Sequence, residues 1–187
     1  MRRFVLFGEC LLAGLLTVAL ALPLITLLPA LAAGCAHIRA HVDGETTAMR
    51  AYFERFRAAF PGSVPISTAA AAGFAVVIVD GLLLRSAVPG GAFVAAFCGL
   101  AAAALSVVLL RAAATWSPGQ RWGDLVRTAA VRAATSDPTG SLLLVMALAL
   151  LVIITWQLLP LAVPTLGCVL MAAVAVERRY DLILASR

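Results

Sequence analysis

Residues 21–37, "ALPLITLLPALAAGCAH", close the first long apolar run, and the fold turns on how they are read. They offer the tail of a cleaved leader with "AAGC" as a lipoprotein cleavage box, the turn of a membrane hairpin, or the shoulder of a metal site made by Cys35, His37 and His41. As a leader the apolar region is about twice the usual 7–15 residues, and Pro23 and Pro29 interrupt it. The box also lacks a leucine three places before Cys35, so cleavage there is not expected. That leaves a break inside a membrane segment or a site.

Composition favours the membrane. With 63% hydrophobic and 12% charged residues and a mean hydropathy of +1.05, the chain is far from a soluble domain, where charge approaches about a quarter. Every basic residue is arginine, and the net charge of +5 is not gathered into one patch. The arginines fall between apolar runs, which is the pattern of membrane insertion and not of nucleic-acid binding. Cys10, Cys35, Cys98 and Cys168 lie singly in apolar segments with no C-x-x-C, so they read as packing residues. The length fits a single membrane domain over residues 1–187.

Apolar runs cover residues 4–36, 66–84, 91–110, 141–159 and 161–176. A spanning helix needs roughly 20 apolar residues to cross about 30 Å of hydrocarbon. The three middle runs fit that length. The first is too long for one ordinary crossing, and the last is short and set off by Pro160 and Pro164. Arginines lie before the first run (Arg2, Arg3), after it (Arg39, Arg50, Arg55, Arg57), between the third and fourth (Arg111, Arg121, Arg127, Arg132) and at the C-terminus. Keeping these segments cytoplasmic makes residues 4–36 a hairpin broken near Pro23 to Pro29. A single tilted helix is the alternative, and it would put Arg39 to Arg57 outside. The expected fold is therefore all-α: a polytopic transmembrane bundle of five to six segments as three hairpins, both termini cytoplasmic, in a bacterial plasma (inner) membrane.

The polar segments have helical periodicity. In residues 46–60, Met49, Tyr52, Phe53, Phe56 and Phe60 form an apolar stripe opposite Arg50, Glu54 and Arg57, with a threonine before and Pro61-Gly62 after. This is an interfacial amphipathic helix, or else a docking helix for a cytoplasmic ATPase; Arg50, Tyr52, Phe53, Phe56 and Arg57 are its lipid or partner contacts. Residues 117–135 form the second such segment, capped by Ser117-Pro118, with Trp122, Leu125, Val126 and Ala129 on one face. Asp137-Pro138 and Gly140 break the chain before the fourth span.

Little here points to catalysis. His37 and His41 share a helix face, but Cys35 falls about half a turn away, so the histidines read as boundary residues and no metal or cofactor is expected. G-x-S-x-G, H-E-x-x-H and P-loop patterns are absent. Asp80 is the sole acidic residue deep in an apolar run, an intramembrane polar site by default, with Arg85 about a turn and a half away as its local partner. Glu9 reads as a boundary residue within reach of Arg2 and Arg3. In the opening stretch, Pro23 and Pro29 free helix carbonyls that the Thr26 hydroxyl can bond, while Ala30, Ala32 and Ala33 leave room for a neighbouring helix.

Pro23-Leu24-Ile25-Thr26-Leu27-Leu28-Pro29-Ala30 resembles the P-x-x-T-x-x-P-A signature of the YesL-like membrane-protein family. The aromatic element "RAYFERFRAAF" and the order of the later segments are similar as well, and Leu28 departs from the glycine often found before the second proline. The resemblance implies an accessory role in sugar import, since members commonly sit near carbohydrate uptake systems. The expectation is a non-enzymatic accessory or regulatory component of a carbohydrate ABC transport system. Its partners would be the bilayer, transporter membrane or ATPase subunits, and a further copy of itself. The alternative is a small transporter or substrate-binding membrane subunit with its site at the Pro-broken helices.

Overall fold

Small side chains let the second helix sit at the centre of the protein. In a computed structural model, which describes residues 2–45, 48–83 and 91–186, that helix carries the run Pro29-Ala-Leu-Ala-Ala-Gly-Cys35, and every residue of the run is buried. Among the described residues the chain forms eight α-helices and no strand. They are α1 (Arg2–Ala21), α2 (Leu27–Val42), α3 (Met49–Ala59), α4 (Val64–Leu83), α5 (Gly91–Thr115), α6 (Trp122–Val131), α7 (Pro138–Gln157) and α8 (Ala162–Ala185). Around α2 pack α1, α3, α4, α5 and α8.

Among the described residues, three helical stretches are long and apolar enough to cross a membrane: Phe93–Thr115, Pro138–Gln157 and Leu159–Ala185. A fourth is counted if α3 and α4 are taken as one segment bent by 88°. Phe93, Phe97, Val76, Ile78, Ile153 and Trp156 point outward from these helices. An apolar exterior of this extent is that of a protein whose solvent is lipid.

The first apolar run divides at residues 22–26. The chain turns there through Leu24, whose φ of 56° is unusual for a branched residue, and the Thr26 hydroxyl donates to the Leu20 carbonyl at the end of α1. At the start of α2, the Leu28 amide, which has no partner within its own helix, donates to Ser67 Oγ of α4 at 3.2 Å. The polar backbone freed by the break is thus bonded inside the protein, as hydrocarbon surroundings require. Beyond the break α2 runs back along α1, so that Gly34 comes against Thr17 and His37 reaches Glu9.

α1 also lies directly on α8. A β-carbon at Gly14 would stand 2.3 Å from the Val163 carbonyl oxygen, and one at Gly167 would stand 2.0 Å from that of Cys10. Only hydrogens fit between the two backbones, and each points at a facing carbonyl, the close approach that small residues permit in membranes.

Several expected boundaries need correction. The third run does not stop at residue 110: α5 continues to Thr115, because Ala112, Ala113 and Ala114 keep it helical and buried. The helix that carries the last apolar run extends beyond residue 176: a 3₁₀ turn (Leu159–Leu161) leads into α8, which runs on to Ala185. Ser117-Pro118 does not cap a helix. It forms a turn with Gly119 at φ 89°, and α6 begins only at Trp122. A π-helical turn, Arg132–Ser136, then hands the chain to α7, where the Asp137 side chain caps the new helix by accepting from the Gly140 amide at 2.9 Å. The threonine cap expected before α3, at residues 46–47, and Arg85 with the Pro89-Gly90 turn lie outside the described residues.

The aromatic stripe of α3 also divides. Met49, Phe53 and Phe60 face outward, but Tyr52 is 0% exposed. Its hydroxyl shares a 3.0 Å hydrogen bond with Thr17 of α1 and lies 3.4 Å from the Ala30 carbonyl of α2. α3 is thereby bolted to the first two helices and does not simply float on lipid. Tyr52→Phe is expected to cost about 1 kcal/mol, the usual net value of one buried hydrogen bond, read as a lowered unfolding midpoint in detergent.

Candidate functional site

Arginine-bearing helix ends meet at one end of the bundle. Arg39, near the end of α2, donates to the Trp116 carbonyl just beyond α5 at 3.0 Å. Arg178 of α8 is paired with Asp43 at the close of α2. Between α2, α5, α6 and α8 these residues border a cavity of about 480 Å³. Arg39, Arg111, Arg121, Arg132 and Arg178 line it, against the carboxylates of Asp124, Glu177 and Asp181. Gln120 and Thr128 add neutral polar groups.

Arg111 sits at the floor of this cavity, 1% exposed. Its Nη2 donates to Asp137 Oδ2 at 2.6 Å, and its Nε lies 3.4 Å from Glu177 Oε1. Arg132, on the π turn, donates to the other oxygen of Glu177 at 3.2 Å and stacks over the Tyr180 ring. Two arginines and two carboxylates from α5, the α6–α7 junction and α8 thus alternate in one buried network. The helix ends are held in register by charge as well as by packing. Not every donor is used: Arg111 Nη1 and Arg39 Nε are buried without a hydrogen-bond partner.

Burial pushes the Asp137 carboxyl up, but the Gly140 amide and the Arg111 guanidinium more than offset it and hold the group below its ordinary value of 3.8. A carboxylate with a depressed folded-state pKa contributes stability that is fully present above its ordinary value. That contribution is lost as pH falls through the folded value. Acid unfolding below pH 3.8 should therefore be less steep in Asp137→Asn, as measured by unfolding midpoints across an acid series.

A tryptophan pair flanks the α5–α6 connection. Trp116 and Trp122 stack with centroids 6.1 Å apart at 12°, and Trp122 Nε1 donates to the Ala59 carbonyl of α3 at 2.8 Å. This bond joins the two amphipathic helices α3 and α6. Trp122→Phe should cost about 1 kcal/mol and loosen α3, seen as faster amide exchange across residues 50–59.

A second polar cluster lies between α1, α2 and α3. His37, expected at a boundary, is 0% exposed, with Nε2 2.8 Å from Glu9 Oε2 and its ring edge-on to Tyr52. His41 stands farther off, at 4.0 Å from Glu9. Because α2 folds back along α1, Glu9 meets the histidines; the side chains of Arg2 and Arg3, its expected neighbours, lie outside the described ones. Cys35 and Asp43 do not join them, and among the described residues no three His, Cys, Asp or Glu side chains are disposed to hold a metal ion.

The other singled-out residues spread over three places. Pro23 and Thr26 lie in the turn between α1 and α2, and Pro29 and Ala30 are buried in the first turn of α2. Asp80 is half-buried and accepts from the Cys98 thiol of α5 at 3.4 Å. On α3, Arg50 pairs with Glu54 at an exposed site, Arg57 is exposed, and Phe56 packs edge-on to Phe60. None of these lines the arginine cavity. Its residues were passed over because Arg111 and Glu177 read as ends of apolar runs. The signal that identifies them is helical continuity: Ala112 to Ala114 after Arg111, and Ala173 to Val176 before Glu177, place each charge inside a helix. Set against family models, curated proteins and solved structures, the chain matches none.

Proposed function

We propose that the protein is a non-enzymatic, multi-pass membrane protein that serves as an accessory or regulatory component of a transport complex. The observation that carries this is the concentration of chemistry at one end of the bundle. The arginine cavity, α3 and α6 all gather there, while the outward faces of α4, α5 and α7 are apolar. Such an end suits contact with a cytoplasmic or membrane partner. The carbohydrate ABC class of partner comes from the YesL-like resemblance of residues 23–30 and is part of the proposal. Affinity purification in mild detergent followed by mass spectrometry should recover permease and ATPase subunits. Recovery of the chain alone, or only with copies of itself, would sink the reading.

The orientation proposed is three hairpins in a bacterial plasma membrane, with both termini and the arginine-rich end cytoplasmic. The return of α2 along α1, and the extensive packing of α7 on α8, support it. In a background lacking the four native cysteines, Glu45→Cys should resist a membrane-impermeant thiol reagent in intact cells and react after permeabilisation. Labelling in intact cells would reverse the orientation.

A small transporter or substrate-binding subunit is the second reading. A groove of about 770 Å³ favours it, lined by Val18, Leu151, Trp156 and Leu166 near the end of the bundle that holds the proline break, with Thr155 Oγ1 buried and unbonded. Thermal stabilisation by one member of a panel of sugars, vitamins and cations would support this reading; a flat response across the panel would remove it.

A further inference from the structure

We propose that the arginine-lined cavity is a binding site for a phosphate-class oxyanion, whether carried on a lipid headgroup or free in solution. This does not depend on which complex the protein joins. Five arginines and three carboxylates line the cavity; Asp137 and Asp43, just outside the lining, pair with Arg111 and Arg178, and among the described residues Arg39 and Arg121 have no carboxylate within salt-bridge distance. Of the carboxylates, Glu177 is already engaged by Arg111 and Arg132, which turns it from a repelling group into a brace for the two cations. Asp124 and Asp181 are exposed, where water and salt screen them.

The second observation is the unused donors. Arg111 is almost wholly buried, yet its Nη1 has no acceptor, and neither does Arg39 Nε. A buried guanidinium N–H without an acceptor is costly, and a bound oxyanion would relieve that cost. Guanidinium groups match phosphate oxygens in spacing and plane, so a planar fork held rigid by Asp137 and Glu177 is well prepared for one. At about 480 Å³ the cavity falls within the range of small-molecule sites, with room for a phosphate and the first atoms of whatever bears it. Arg121 is exposed and lines the cavity as well, placing one mobile cation where a ligand enters.

The test uses the full chain in neutral maltoside micelles. Inorganic phosphate is titrated against chloride at constant ionic strength and followed by calorimetry. In parallel, protein drawn from nanodiscs of phosphatidylcholine, with and without phosphatidylglycerol, is weighed by native mass spectrometry for retained phospholipid. Arg121→Gln removes a cavity cation at the residue before α6, and Arg127→Gln removes an exposed one on α6 outside the cavity, so the two variants carry equal net charge. Loss of one charge-assisted contact should weaken binding about tenfold in Arg121→Gln and leave Arg127→Gln like the parent. Saturable phosphate binding with that pattern assigns the site to a free ligand. Retained phosphatidylglycerol with that pattern assigns it to a headgroup. No saturable binding in either arm, or equal weakening by both variants, overturns the proposal.

Discussion

Arg111→Leu should remove about 3–5 kcal/mol of stability, a large share of the roughly 5–15 kcal/mol that holds a domain folded. The side chain lost is apolar in volume but not in role. Without it Asp137 and Glu177 stay in place, 10% and 6% exposed, with their negative charge no longer matched from α5. The cost comes mainly from those abandoned carboxylates and only in part from the lost attraction. The measurement that separates these is a companion variant carrying Arg111→Leu with Asp137→Asn and Glu177→Gln. It should recover most of the loss, because no buried charge is then stranded; Arg132 is exposed enough to find water. Unfolding in mixed micelles, followed by circular dichroism, reads both. A single variant within 1 kcal/mol of the parent would mean that the network does not hold the helix ends.

Gly167→Val should be nearly as damaging, at about 3 kcal/mol, for a steric reason. In most helix interiors, replacing glycine gains up to about 1 kcal/mol of helix propensity. Here the added carbon meets backbone: 2.0 Å from the Cys10 oxygen and 2.8 Å from its carbonyl carbon. Neither atom belongs to a side chain that can rotate away, so α1 and α8 must separate, and the contacts between them go together. Gly14→Ala should fail in the same direction, through the Val163 carbonyl. Gly99→Ala is the control, since nothing lies within 4 Å of the added carbon, and it should be neutral or mildly stabilising. Equal stability of Gly167→Val and Gly99→Ala would show that α1 and α8 do not approach so closely.

The helical class and the apolar character of its long helices were legible because hydropathy is a local property. A run such as residues 141–159 declares itself, and Pro23 with Pro29 declares where a long run must break. What was not legible is pairing across distance. Arg111 ends an apolar run, so reading charge as a boundary places it in the adjoining loop. Only Asp137 and Glu177, brought in from other helices, make it a buried residue of α5. The same holds for His37, whose partner Glu9 lies across the turn on α1, and for Tyr52, drawn inward by Thr17. In each case a polar group inside the bundle is kept there by another that sequence neighbourhood does not reveal. The arginine cavity is the sum of such pairings, and no motif along the chain encodes it.

The close approach of Gly14 and Gly167 bears on how the protein is made. α8 is synthesised after α1 to α7, yet it supplies one wall for both α1 and α2. Through most of translation α1 and α2 therefore lack that wall, and Glu177 is not yet available to Arg111. Assembly cannot finish helix by helix in order of emergence; it must wait for the final segment to reach back to the first. A chain halted before residue 162 is then an unfinished bundle, with the α8-facing flank of α1 uncovered and Arg111 braced by Asp137 alone.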